Sequence, residues 1–333
     1  MIRPFDWRDF GLLRRLGDQG LCLDTETGLI RGRHSLQTAL LSYLAPSAST
    51  PTFVFPPGDE NGNSGAFGQL RHPPGSPYAR VMYLAPAGIV EEPVGVELLE
   101  RLTTTSGERG AHHLLAEVAE GSPEFLTLRQ LGFAVYARQD IWQLNGEARD
   151  LGEAPTLRPR VSADWIGIHT LYLNIVPSLV QQVEPPPSRR SRGYVFISES
   201  EVLIFLDVSQ GPLGVLIQPY FHPAVHGVAR TLSRFVRELP SRRDRPLYFL
   251  VRSYQNWLGG PLQEVGFECV AEQAVMVKRL AVRIAQTQLA HVPVLERGAE
   301  AASTMSHLEL GSPAEAELGH ALRRNGAPAA RVV

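Results

Sequence analysis

Along the 333-residue chain, apolar residues fall in two kinds of stretch. Short apolar runs bounded by turn residues predict strands, and apolar residues three and four apart predict helices. In the C-terminal part the first element is a helix over 164–183, ending before Pro185-Pro186-Pro187. Strands follow at Gly193 to Ser198 and Val202 to Val208, with Glu199-Ser200-Glu201 as a hairpin connection. A third strand, Gly214 to Phe221, runs into a helix whose apolar positions are Val225, Val228, Leu232, Phe235, Val236 and Leu239, with Pro223 suited to its first turn. Leu247 to Val251 is a strand, Gln255 to Val265 a helix, and Cys269 to Leu280 a β-rich run. The N-terminal part reads likewise. A helix starts at Asp9, strands lie at Thr52 to Phe55, Ala66 to Leu70 and Arg80 to Ala85, a helix at Val94 to Leu102 and a strand at His112 to Val118.

These two parts form an internal repeat. Ile2-Arg3-Pro4, then Asp9 and an apolar-periodic stretch to Leu16, recurs as Leu157-Arg158-Pro159, then Asp164 and a stretch to Leu179. Each copy later has a short helix that ends in Gly-Phe and enters a strand: Leu128 to Phe133 then Ala134 to Leu144, and Leu262 to Phe267 then Cys269 to Leu280. Gly146, Gly152 and Pro155 break any continuing pattern between the copies. Domains are therefore expected at 1–145 and 157–284. The periodicity then fades, so 285–333 is expected to be a low-complexity, disordered tail with at most a short helix at Ala314 to Arg323.

Composition narrows the class. With 44% hydrophobic and 20% charged residues the chain is of soluble globular type, and a formal charge of -2 argues against a nucleic-acid partner. No apolar stretch approaches the ~20 residues that span a bilayer, and the N-terminus lacks a signal-peptide core. A cytoplasmic location without a membrane partner is the expectation. Cys22 and Cys269 are too few for a disulfide framework or a four-cysteine zinc site, and both are expected to be buried and reduced.

The order strand, helix, three strands in meander, helix, strand, helix, strand resembles the GNAT-type acyl-CoA N-acyltransferase superfamily. The resemblance rests on the duplicated Arg-Pro openings, on His222-Pro223 then His226-Gly227-Val228-Ala229 after a strand, and on the endings Leu128-Arg129-Gln130-Leu131-Gly132-Phe133 and Leu262-Gln263-Glu264-Val265-Gly266-Phe267. It implies an α/β fold class, with two tandem GNAT folds, each a mixed, largely antiparallel sheet flanked by helices. It also implies acetyl-CoA as acyl donor, a small-molecule or peptide amine as acceptor, and no metal.

The resemblance places a CoA pyrophosphate at the start of the helix after the third meander strand, where unpaired N–H groups and the helix dipole favour an anion. In the second copy His226, Gly227, Val228, Ala229 and Arg230 would hold it, with Phe221 along the pantetheine. Two registers remain open, one placing His226 and one placing Ala224 on the family's Arg. In the first copy Glu91-Glu92 would repel an anion there and stabilise an empty helix N-terminus, leaving a structural or substrate-side half.

Acyl transfer also needs a base for the ammonium and an acid for the leaving thiolate. The family's Tyr acid falls at Leu128 and Leu262, its Asn at Gln255, and its strand Glu near Gln218, with Met82 as first-copy counterpart. None of these residues is a base. Tyr220 and His222 at the strand end and Tyr254 before the late helix are the remaining candidates, each of which also suits a plain structural role. His222 and His226 have metal-pair spacing but no third ligand. A catalytically inactive CoA-sensing or protein-interaction module is the competing expectation.

Overall fold

The computed structural model describes residues 1–32, 35–44, 50–58, 65–240 and 245–280. The tail and the helix expected within it lie outside the described residues. The first half runs β1 (Arg3–Pro4), α1 (Phe10–Leu16), β2 (Leu21–Cys22), α2 (Ser35–Leu44), β3 (Thr52–Phe55), β4 (Ala66–Arg71), β5 (Tyr78–Ala85), α3 (Pro93–Glu108), β6 (His113–Val118), α4 (Pro123–Gln130) and β7 (Ala134–Leu144). The second half runs β8 (Arg158–Pro159), α5 (Trp165–Ile175), α6 (Ser178–Gln181), β9 (Gly193–Ser198), β10 (Glu201–Gln210), β11 (Val215–Phe221), α7 (Val228–Glu238), β12 (Leu247–Arg252), α8 (Gly259–Val265) and β13 (Glu268–Arg279).

The repeated opening has a physical cause. Arg3 grips both carboxylate oxygens of Asp9 at 2.7 Å, and the Asp6 amide donates to Asp9 Oδ2 at 2.9 Å. Arg158 and the Val161 amide do the same to Asp164, at 2.7 to 2.8 Å. A bidentate pair that also takes a free N–H at a helix start needs Arg and Asp six apart and no other identity. The Arg158 hydrogen bonds hold the Asp164 carboxyl below the usual range.

All strands join one sheet, in the order β1-β3-β4-β5-β6-β13-β7-β12-β11-β10-β9-β8, with β2 paired to β5. The closing strand of each half thus sits on the other half: β13 pairs with β6, and β7 pairs with β12 from Leu247↔Leu144 to Arg252↔Gln139. The exchanged strands also pair with each other over most of their length. Packing follows the exchange. Trp142 and Leu144 of the first half lie in the core under α7 and α8, and Ala274 and Met276 of the second lie in the core under α3 and α4. On the opposite face, α5 and α6 cover Leu115, Tyr136, Val275, Phe205 and Tyr220, residues of both halves.

The helix expected over 164–183 breaks at Val176, which is extended at φ -87°, ψ 128° because Pro177 follows it. Cys269 is exposed, not buried, on the outer end of β13, where a bulge interrupts the pairing. No helix among the described residues is long and apolar enough to cross a membrane.

The strand exchange is checked by cutting the chain. With a protease site inserted after Gly152 in the connection between halves, the cleaved pieces should co-elute in native size exclusion and part only in denaturant. Separation under native conditions would contradict the exchange.

Candidate functional site

In the second half the parallel pairing of β11 with β12 stops after Val215↔Leu247, Leu216↔Tyr248 and Ile217↔Phe249. Pairing of β11 with β10 continues to Phe221. The backbone of Val215 faces β12, its amide donating to Pro246 O at 3.1 Å, and alternation turns the edges of Pro219 and Phe221 the same way. Pro219 has no N–H, and a central strand accepts a proline where its missing donor meets no partner strand. The Phe221 carbonyl on this edge accepts from Gln255 Nε2 at 3.1 Å, and among the described residues no backbone bond fills the rest. The two strands leave a slot between them.

Beyond the slot the chain makes a turn. His222 N donates to Leu203 O at 2.8 Å, His222 Nδ1 accepts from Ala224 N at 3.2 Å, and Val225 N donates to His222 O at 3.1 Å. Helix α7 opens at Gly227, in the left-handed region at φ 65°, ψ 35°, and not at Pro223 as periodicity predicted. The turn held by His222 keeps Pro223 and Ala224 out of the helix. The first bond at the helix start runs from Thr231 N to Gly227 O at 3.1 Å, so the amides of Val228, Ala229 and Arg230 precede it, with no side-chain cap and no acidic residue in that turn. A β-carbon at Gly227 would stand 3.3 Å from the Arg230 guanidinium, so the left-handed glycine keeps this corner small.

The first half repeats the break but closes it. Pairing of β5 with β6 also stops after three residues, Tyr78↔His113, Ala79↔Leu114 and Arg80↔Leu115. Here β2 pairs with the far end of β5, Leu23 N donates to Met82 O at 3.0 Å, and Glu117 N donates to Leu23 O at 2.9 Å. The chain's own backbone bridges the two strands. Tyr83 locks this segment, donating to Gly17 O at 2.6 Å and accepting from Gly20 N at 2.7 Å. The start of α3 is closed as well, because Gly95 packs so tightly on the preceding turn that a β-carbon would come within 1.8 Å of Ile89 O.

No protein-family model and no curated protein matches the sequence. Solved structures do match. A GCN5-related N-acetyltransferase from Sphaerobacter thermophilus superposes over 84% of this chain and 95% of its own, with a TM-score of 0.54 at 11% identity. A protein from Pyrococcus horikoshii described as an acetyltransferase superposes over 85% and 90%, with a TM-score of 0.50 at 11% identity. The chain has the GNAT fold.

A polar row crosses the face of this GNAT sheet opposite α7 and α8. Asp207 lies directly across from Gln218, and Arg252, Gln139 and Gln273 are register partners on β12, β7 and β13. Gln139 Nε2 donates to Gln273 Oε1 at 2.8 Å, which Thr25 Oγ1 also reaches at 2.8 Å. The Thr25 amide donates to Glu117 Oε2 at 2.8 Å, and Arg80 bonds Glu117 Oε1 at 2.8 Å. The row borders a partly open cavity of about 90 Å³ whose lining includes Asp24, Thr25, Glu117, Asp207, Gln218 and Arg252. Leu216 and Gln218 line it from β11, and Leu250 and Arg252 from β12, so it adjoins the slot.

Charge in the cavity is unevenly matched. Burial alone would raise the Glu117 carboxyl, but the Arg80 and Arg252 guanidiniums outweigh that and hold it below the usual range. Arg71 pairs Asp24 at 2.9 Å and Glu26 at 3.0 Å. Asp207 has no cationic partner within ion-pair distance among the described residues. Burial pushes its carboxyl up to about 6, against a hydrogen bond from Ser191. Arg252, 3% exposed, donates from Nη2 to Glu184, whose same oxygen accepts from Tyr136. Its Nε and Nη1 have no acceptor among the described residues.

The structure brings Tyr220 and Tyr254 together and leaves His222 and His226 apart from them. Tyr220 stacks on Phe205 at 5.9 Å, and Tyr254 packs against the same cluster. Burial raises both phenols, each with the other or Arg252 nearby. His222 is held in the turn and His226 is exposed before the helix cap. Among the described residues no three His, Cys, Asp or Glu are grouped to hold a metal ion. Asp207, Arg252 and Thr25 were not visible as site residues in the sequence. Asp207 and Arg252 did leave one signal, a charge inside or ending an otherwise apolar strand.

The raised Asp207 carboxyl sets a stability prediction. A native state that binds this proton more tightly than the unfolded chain loses stability as pH rises from about 4 to about 6. At neutral pH its ionisation costs the fold about 2 to 3 kcal/mol. Asp207→Asn should therefore be more stable than the parent in urea melts at pH 7.5, by about 1 to 3 kcal/mol, and equal to it near pH 4. A loss of stability at both pH values would contradict the account.

Proposed function

We propose that the protein is an acyl-CoA-dependent N-acyltransferase, with acetyl-CoA as donor, whose working GNAT domain is the second half, 157–284. The first, 1–145, is then a substrate-side domain. The observation that carries the proposal is the open slot between β11 and β12, which leads to the uncapped amides of Val228, Ala229 and Arg230. Free N–H groups at a helix start suit a pyrophosphate, and the open edges of Pro219 and Phe221 suit the amides of an extended pantetheine arm. His226 and the Arg230 guanidinium flank the same corner. In the first half β2 and Leu23 already occupy the equivalent edge.

Acyl transfer forms a bond from the amine nitrogen to the thioester carbonyl carbon and breaks the carbon–sulfur bond. The amine must lose its ammonium proton, and the sulfur must gain one. Asp207 is the candidate acceptor of the first proton, since its carboxyl is poised near neutrality beside Gln218. Tyr254 and Tyr220, both protonated at neutral pH, are the candidate donors of the second. His222, fixed by the turn, would act at most as a wall of the slot. The absence of a tyrosine at Leu262 then removes one route for that proton and leaves the function intact. Cavity contacts with Asp24, Thr25, Arg80 and Glu117 give the first half its part.

Calorimetric titration with acetyl-CoA tests the donor site. Gly227→Val, which puts a β-branched side chain at a left-handed position in the phosphate corner, should weaken binding at least tenfold. Gly132→Val carries similar backbone strain at φ 85° in the first half and should leave affinity unchanged. Equal affinities in the parent and both variants would reject the placement. In a thiol-release assay, kcat/KM should fall below pH 6 as Asp207 takes up its proton and vanish in Asp207→Asn. A profile flat from pH 5 to 8 would remove Asp207 as the base.

A further inference from the structure

We infer that the protein docks on an anionic lipid surface, through α5, α6 and the arginine-bearing loop that follows them. The inference stands apart from the acyltransfer proposal and uses none of the residues assigned to it. It departs from the expectation of no membrane partner, which came from the lack of a spanning segment. A helix lying in the interface needs no spanning length.

The first observation is an asymmetry between the two sides of the sheet. Helices α3, α4, α7 and α8 pack on one side, and α1, α2, α5 and α6 on the other. Every helix of the first group carries at least one glutamate, as water-facing helices do. The second group contains no acidic residue and no lysine, and Arg14 and Arg15 are its only arginines. Among the described residues seven large apolar side chains are exposed on the second group, against one, Leu126, on the first. An acid-free, apolar surface on one side only marks that side as the one that meets a partner.

Helix α5 is the clearest case. From Trp165 to Val183 the chain has no Asp, Glu, Lys or Arg, a composition expected of a helix covered all round. Yet only one flank is covered. Ile168, Leu171 and Tyr172 are buried on the sheet, while Ile166, 71% exposed, Thr170 and Leu173 form an outward stripe at i, i+4 and i+7. Gln181 Nε2 donates to Leu173 O at 3.2 Å and to Val176 O at 2.7 Å, which ties α6 to the end of α5, and α6 exposes Leu179.

The second observation is the charge beside this stripe. Arg160 donates to the carbonyls of Ser188, Arg189 and Ser191 and so holds the loop in shape. From that loop the Arg189 guanidinium lies over the Trp165 ring at 4.0 Å, next in sequence to Ile166. Arg189, Arg190 and Arg192 are exposed, with no carboxylate in ion-pair range among the described residues. Asp164 is paired with Arg158 and Glu184 with Arg252, so the exposed acids of this part of the chain are Glu199 and Glu201, both at the β9–β10 turn. Guanidiniums beside an apolar stripe, with a tryptophan between them, suit an anionic lipid surface: the phosphates meet the arginines, and Ile166, Leu173 and Leu179 enter the acyl boundary. A second copy fits less well, because no helix on this side of the sheet offers a carboxylate to another copy's arginines.

Co-sedimentation of the full chain with vesicles tests the inference. One set is phosphatidylcholine alone, and the other carries about 30% phosphatidylglycerol. The anionic vesicles should bind at least tenfold more tightly, and about 1 M salt should remove the difference by screening. Ile166→Glu with Leu173→Glu should abolish binding, and Arg189→Ser with Arg190→Ser and Arg192→Ser should weaken it at least tenfold. All five side chains are exposed, so urea melts of both variants should match the parent. Leu126→Glu makes the same change on α4, on the other side of the sheet, and should bind as the parent does. Equal binding to both vesicle types, or binding to neither, would overturn the inference. So would loss of binding in Leu126→Glu. A dimer in light scattering that Ile166→Glu with Leu173→Glu splits, in a protein indifferent to vesicles, would assign the face to a second copy instead. Acetyl-CoA titration of the same samples reads the acyltransfer proposal separately, so the failure of either leaves the other standing.

Discussion

Because β7 completes the sheet beside β12 and β13 completes it beside β6, neither half can satisfy its backbone edges alone. The polar row depends on this exchange. Gln139 reaches Arg252 as a cross-strand neighbour only because a first-half strand lies next to β12, and Gln273 meets Thr25 only because a second-half strand lies next to β6. The cavity is thus a product of two halves fused through their last strands, and its charges could not be assembled by either half alone.

The same backbone break occurs twice and is resolved in two ways. A strand that loses its parallel partner after three residues exposes donors and acceptors that must be met. In the first half the chain meets them itself, with Leu23 bonded to both strands. In the second, no backbone segment among the described residues bonds both strands, and the edge of Pro219 and Phe221 is met only by Gln255 Nε2 on the Phe221 carbonyl. A closed site and an open site of one fold lie side by side, and the segment that closes the first also walls the second.

Much of this architecture was legible in the sequence. The paired Arg and Asp at 3 and 9, and at 158 and 164, announced the duplication because they make the same bidentate contact in each copy. What the periodicity overstated is physical: Pro177 forces Val176 out of the helix, and the His222 turn delays α7 to Val228. The site was harder to read. Asp207 and Arg252 lie within strands read as apolar runs, and nothing local shows that their shared face meets a charged segment from residues 24–26. Tyr220 and Tyr254 were singled out by position, and the structure brings them to one cluster; His222 was singled out likewise and serves a turn.

The central claim is that one slot is open to an acyl-CoA and its counterpart is filled by the chain. Native mass spectrometry of the intact protein with excess acetyl-CoA counts the sites directly. A single bound molecule per chain, lost in the Gly227→Val variant, is the predicted result. Two bound molecules, or none, would contradict the account.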